Sequence, residues 1–327
     1  MGKEETDVQG KLTFSEFMAN LRGTFPGDGM HEGSAGGTPP TDCSRGNRRS
    51  RSGRNGVVEM MNIPNTWKTL IFEEVEPSIG LVTMNRPEQL NAINVDMLAE
   101  FDHLFQILSH VESSCKVLVI TGAGNAYSAG ADLNDAILYK DTDVFKDPEL
   151  FLKHVQERYA GLILGMRRIS QPIISAVDGP AAGGGFSMAL ASDVRIATPE
   201  AYFVASYINI GLSGGELGCS YYLPRLVGPA RAADVLLTGR KVMAEEAERI
   251  GLVNSVVPRG DLREKALSYA RAMAAKSHGA LKLTKRVLDQ NIDAPSLEAA
   301  INVENRNQAI MVFSGEFFKL VQSFFKG

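Results

Sequence analysis

Cysteine is scarce in this chain of 327 residues, and Cys43, Cys115 and Cys219 are odd in number and far apart. Neither a disulfide framework nor a paired-cysteine metal site can be built from them, so a reducing compartment is expected, the cytoplasm or an organellar matrix. Long apolar runs are missing as well. The longest, near Leu162 to Met166, is far too short to cross a bilayer, and no basic-then-apolar leader opens the chain. The five histidines show no metal-ligand spacing. With 34 basic and 38 acidic residues the formal charge is −4, which gives no basic excess for a nucleic-acid groove. What is present is the composition of a soluble globular protein, 44% hydrophobic and 22% charged.

Composition divides the chain near residue 60. Residues 1–62 hold glycine clusters, Pro39-Pro40 and the run Arg45, Arg48, Arg49, Arg51, Arg54, with helical apolar spacing only from Leu12 to Leu21. Such a segment buries too little apolar area to offset its ordering entropy, and it reads as a disordered leader. Initiation at Met60 or Met61 would leave it out altogether. From Trp67 onward the pattern is regular. Thr69 to Val75 and Leu81 to Met84 read as strands about a turn at Pro77 to Gly80. Asn94 is expected to cap a helix whose Leu98, Phe101, Leu104, Phe105 and Leu108 share one face. Val117 to Ile120 suits a strand buried on both faces. A helix over Glu149 to Arg168, a strand at Ile173 to Val177, a small-residue helix after Gly183 and a strand at Val194 to Ala197 follow. Strands alternating with helices predict a layered α/β core over 63–258. Helices dominate 259–327.

Three stretches are candidates for chemistry. Gly211-Leu212-Ser213-Gly214-Gly215 fits the nucleophile-elbow pattern, but it lacks the strand-turn-helix context and has only His278 downstream, so it is set aside. Ser128-Ala129-Gly130-Ala131-Asp132-Leu133 follows a buried strand, and its small residues leave amides open to a ligand. Asp178 to Gly185 follows the next strand and opens a helix, where amides carry partial positive charge. Two such stretches after consecutive strands place two amide donors at one sheet edge, as an oxyanion hole requires.

These stretches fall in an ordered series: Asn85-Arg86-Pro87-Glu88-Gln89-Leu90-Asn91-Ala92, Ser128 to Leu133, Gly183-Gly184-Gly185, Leu236-Leu237-Thr238-Gly239, and Ala244-Glu245-Glu246-Ala247 with Gly251-Leu252-Val253. Over residues 67–327 the series resembles the crotonase (enoyl-CoA hydratase/isomerase) superfamily. The resemblance implies an α/β spiral of repeated ββα units with a helical C-terminal trimerisation region, assembled as a homotrimer or hexamer. It implies an acyl-CoA thioester whose oxygen is held by the N–H groups of Ala131 and Gly184. The coenzyme A end would lie along Gln89, Leu90, Ala129, Asp132 and Leu133. Coenzyme A is then part of the substrate, and no separate cofactor, metal, nucleic acid or membrane span is expected.

Where hydratases of the superfamily carry their two glutamates, this chain has Ser187 and Tyr207. As neutral hydroxyls these are weak bases. Glu216, seven residues before Leu223, resembles by spacing the acidic position of enoyl-CoA and dienoyl-CoA isomerases and of the chlorobenzoyl-CoA dehalogenase. The competing reading is a helix-start acid favoured by the macrodipole. One carboxylate suffices to move a double bond, because the alpha and gamma protons of an enoyl thioester lie on one face of the dienolate. Isomerisation with Glu216 as proton shuttle is therefore expected. The alternatives are hydration or hydrolysis through Glu216, and a catalytically silent acyl-CoA-binding subunit.

Overall fold

The computed structural model describes residues 67–110, 113–135 and 143–324. The leader expected over 1–62 lies outside the described residues. Two compact units are present, and of the smaller one only residues 306–324 are described.

In the larger unit, β1 (Leu70–Glu76) and β2 (Ile79–Met84) form an antiparallel hairpin, with Leu70 opposite Met84 and a bulge between Glu74 and Glu76. The turn is tighter than expected, only Pro77-Ser78, and Ser78 takes φ 69° to close it. Parallel strands β3 (Val117–Gly122), β4 (Ile173–Val177), β6 (Val194–Ala197) and β9 (Ser255–Val256) extend the sheet in the order β1-β2-β3-β4-β6-β9. Side chains alternate faces along a strand. Leu118 and Ile120 therefore enter one apolar cluster while Val117 and Val119 enter another, and Val82 and Leu81 divide the same way. That two-sided burial is why β3 has no polar alternation in its sequence.

Helix α1 (Val95–Ser109) covers the first face with Leu98, Phe101, Leu104, Phe105 and Leu108, and the Asn94 side chain accepts from the Met97 N–H at its start. The helical run expected over Glu149 to Arg168 is interrupted. It comprises α2 (Pro148–Phe151), a π-helical turn Leu152–Gln156 and α3 (Glu157–Arg168). The second face is covered by α8 (Arg259–Ala274), through Leu262, Ala266, Leu267 and Ala270.

A smaller sheet joins β5 (Pro180–Ala182), β7 (Tyr202–Val204) and β8 (Val242–Met243). Two repeats give one strand to each sheet before a helix: β4 and β5 precede α4 (Gly184–Ala191), and β6 and β7 precede α5 (Cys219–Val227). Parallel bridges Ser128 to Ala181 and Ile93 to Ala131 carry the smaller layer back over the preceding repeats. Helices α6 (Pro229–Thr238) and α7 (Ala244–Arg249) flank β8, and α9 (His278–Asn291) and the start of α10 (Leu297–Phe313) end this unit. In the smaller unit, the end of α10 is followed by α11 (Glu316–Phe324). No described helix is long and apolar enough to cross a membrane.

Candidate active site

The site begins with a loop held by its own polar groups. Asn91 is fully buried at φ 53°, donates from Nδ2 to the carbonyls of Ala123 (2.9 Å) and Ala126 (2.7 Å), and accepts from the Arg86 N–H (2.9 Å). The Arg86 guanidinium ion-pairs with Asp132 at 2.8 Å. These bonds hold the loop after β2 against the loop after β3, and the Ala129 N–H donates to the Leu90 carbonyl at 2.9 Å.

Gly130 is where the two glycine-bearing stretches meet. Its φ is 90°, and a Cβ there would stand 2.7 Å from the Ala182 carbonyl oxygen and 3.0 Å from the Gly184 nitrogen. Only glycine allows that approach. Gly184 begins α4, so its N–H has no intrahelical partner. The Ile93 bridge uses the Gly130 carbonyl and the Asp132 N–H, which leaves the Ala131 N–H between them without a backbone acceptor among the described residues. A Cβ on Gly184 would sit 3.8 Å from the Ala131 nitrogen, so the two expected donors are neighbours.

Both residues line a cavity of about 330 Å³, together with Ala129, Leu133, Tyr159, Tyr207 and Glu216. Its wall is mainly apolar, and Glu216 is the only carboxylate among its described lining residues. The half-buried Glu216 side chain makes no hydrogen bond or ion pair among the described residues. Helix α5 begins at Cys219 behind a Gly218 cap and has no acid in its first turn, so Glu216 is not a helix-start acid. Of the residues expected along coenzyme A, Ala129 and Leu133 line the cavity, and Leu90 is tied to Ala129 and half exposed. Gln89 is exposed beside Leu90. Asp132 is engaged within the protein: its carboxylate meets Arg86 and the Asn134 N–H, and its own N–H donates to Ile93.

The chain belongs to the enoyl-CoA hydratase/isomerase family. Residues 74–325 match the family model of that description. The protein named "Probable enoyl-CoA hydratase echA12" of Mycobacterium bovis is 42% identical over 244 residues, 75% of this chain and 85% of that one. The 1,2-epoxyphenylacetyl-CoA isomerase of Escherichia coli is 32% identical, covering 78% of this chain and 94% of its own. The crystal structure of a monofunctional enoyl-CoA isomerase from Mycobacterium smegmatis superposes with a TM-score of 0.61 at 40% identity, over 72% of this chain and 99% of that one. The ββα repeats are accordingly those of the crotonase-like fold.

In this family member, Ser187 and Tyr207 are brought together with a third residue that sequence reasoning missed. The Ser187 Oγ lies 3.0 Å from the Tyr207 hydroxyl and 3.2 Å from Cys219 Sγ, and all three are buried. Burial, aided by the nearby Glu216 charge, pushes the Cys219 thiol up to about 12 and the Tyr207 phenol well above its usual range. The trio is neutral and cannot supply a base at ordinary pH. Nothing in the spacing of residues 187, 207 and 219 signals this cluster, because it depends on how α4 and α5 pack. The G-x-S-x-G match forms a loop: Gly211 ends a 3-10 turn, and the exposed Ser213 hydroxyl accepts from the Gly215 N–H.

Proposed function

We propose that this enzyme moves the double bond of an enoyl- or dienoyl-CoA, with Glu216 as proton shuttle and the Ala131 and Gly184 amides as oxyanion donors. The observation that carries this reading is one carboxylate, Glu216, in a cavity that also exposes two neighbouring amides. A thioester oxygen between those amides becomes more acidic at its alpha carbon, because the donors are fixed before charge develops. Glu216 takes the alpha proton and, with both carbons on one face, returns it at the gamma carbon. Leu90, Ala129 and Leu133 offer the surface along which the coenzyme A end would lie. Tyr207 closes one side of the cavity and keeps water from the dienolate.

The name of the Mycobacterium bovis relative favours a second reading, hydration, with water activated by Glu216 alone. Incubation with 2-enoyl-, 3-enoyl- and 3,5-dienoyl-CoA, followed by absorbance of the conjugated thioester, separates the two. Isomerisation predicts conjugation of the 3-enoyl substrate without loss of the 2-enoyl chromophore. Bleaching of the 2-enoyl substrate would support hydration instead.

A further inference from the structure

The helical run before β4 gives the cavity of Glu216 four lining residues, Phe151, Val155, Gln156 and Tyr159. Phe151, Val155 and Tyr159 recur at the four-residue spacing that shares one face of an α-helix. Gln156 does not fit that spacing. It ends the π-helical turn Leu152–Gln156, where the Glu157 N–H donates to the Leu152 carbonyl five residues back. The wider turn brings the residue five after Phe151 onto the same wall, and such turns recur at functional sites.

A carboxamide thus enters a mainly apolar wall. Gln156 is half-buried, and its side chain has no hydrogen-bond partner among the described residues. Other polar groups of the lining are engaged elsewhere or belong to the thioester end. The Tyr159 hydroxyl donates to the Ile93 carbonyl (3.1 Å), and the Tyr207 hydroxyl is paired with Ser187. Ser206 stands beside the thioester donors, since a Cβ on Gly183 would lie 3.0 Å from its Oγ. Gln156 comes from an element that supplies neither of those donors and not Glu216.

We propose that Gln156 is a specificity-determining residue whose carboxamide hydrogen-bonds an oxygen substituent, a hydroxyl or an oxo group, on the acyl chain. This preference rests on the acyl-CoA reading and adds a substrate class to it: oxygenated rather than plain hydrocarbon thioesters. A bound hydrocarbon chain strips water from the amide and returns no partner, which weakens its binding. An oxygenated chain restores the bond. The amide serves either group, because it donates from Nε2 and accepts at Oε1. A site with such a group discriminates against the analogue that leaves it unpaired more strongly than an apolar pocket discriminates against one methylene.

The test is equilibrium binding to the full chain by titration calorimetry. The probes are saturated, unreactive hexanoyl-, 5-hydroxyhexanoyl-, 5-oxohexanoyl- and 6-hydroxyhexanoyl-CoA, and coenzyme A itself. In wild type, at least one oxygenated thioester should bind about fivefold or more tighter than hexanoyl-CoA, the equivalent of about 1 kcal/mol. Gln156→Met and Gln156→Leu keep the helix propensity and remove the amide. In each, the oxygenated advantage should vanish while hexanoyl-CoA affinity holds or rises. Hexanoyl-CoA binding as tightly as every oxygenated probe in wild type overturns the proposal, as does an oxygenated advantage that survives both substitutions. An equal loss for all thioesters and for coenzyme A in a folded variant also overturns it, and would assign the amide to the pantetheine arm. Failure of the isomerase reading is distinct, because it changes turnover and leaves these affinities standing. Failure to bind any thioester would overturn both.

Discussion

The Ser187 hydroxyl lies 3.0 Å from the Tyr207 hydroxyl, at the two positions that the sequence resemblance matches to the glutamates of hydratases. In place of two charges, the site has a neutral hydrogen-bonded contact that also reaches Cys219. Ser187→Ala would strip a partner from both the phenol and the thiol. Unfolding free energy should fall by about 1–3 kcal/mol, the usual cost of leaving buried polar groups unpaired. Turnover should stay within about threefold, a change of under about 0.7 kcal/mol in barrier. A loss of several orders of magnitude in a folded variant would show that the trio takes part in the chemistry.

Gly130 supports the amide pair, and the prediction there is steric. Gly130→Ala forces a methyl group to within 2.7 Å of the Ala182 carbonyl oxygen at φ 90°. The variant should lose about 1–3 kcal/mol of stability and at least about tenfold in acyl-CoA affinity. Gly161 on α3 is a matched control, since nothing lies within 4 Å of an added Cβ. Gly161→Ala should stabilise the protein by about 0.4–1 kcal/mol. Unchanged thioester binding by Gly130→Ala would dissociate the glycine from the site.

Helix α9 is fastened by a buried charge cluster. Lys285 is 3% exposed, donates to the carbonyls of Met166 (3.1 Å) and Gln171 (2.8 Å), and sits 3.4 Å from Asp193. Arg167 bridges Asp193 and Asp289 beside it. Burial outweighs the pull of Asp193 and lowers the Lys285 pKa to about 8. The unfolded lysine keeps its proton to about pH 10.4. Between these values the unfolded state binds more protons, so this group raises stability with pH; below about pH 8 its contribution is constant. The unfolding free energy of wild type minus that of Lys285→Met should therefore climb between pH 8 and 10, by up to about 1.4 kcal/mol per unit. Parallel profiles would contradict this.

The described C-terminal helices carry exposed apolar side chains, with Phe313 88% and Leu320 59% exposed. Apolar groups on neighbouring helices invite a partner surface, and a homo-oligomer is the expected form. Light scattering at micromolar concentration should return a mass of three or six chains. A single-chain mass would contradict the expectation.

Much of the fold was legible because its signals are local. Leu98, Phe101, Leu104, Phe105 and Leu108 predict α1 from spacing alone, and the β3 run predicts burial on both faces. The smaller sheet was not legible: β5, β7 and β8 are two or three residues long, too short for periodicity. Helix α5 was missed because Pro224 lies within it and glycines flank it. The candidate site divides the same way. The two stretches that hold Ala131 and Gly184 stand out because small residues follow buried strands, whereas those two residues and Glu216 are singled out only through the family resemblance. Cys219 beside Ser187 depends on packing across helices, which no local pattern records.

In the proposed reaction Glu216 carries the protons. Glu216→Gln keeps size and hydrogen bonding while removing the base, and the Ala131 and Gly184 donors are backbone groups that the substitution leaves in place. Measured by conjugated-thioester absorbance on the best substrate, turnover should fall by about two to four orders of magnitude, with acyl-CoA affinity nearly unchanged. Glu200→Gln, at an exposed turn after β6, should be nearly silent. Turnover above about a tenth of wild type in Glu216→Gln, less than about 1.4 kcal/mol of barrier, would contradict the assignment of Glu216 as the shuttle.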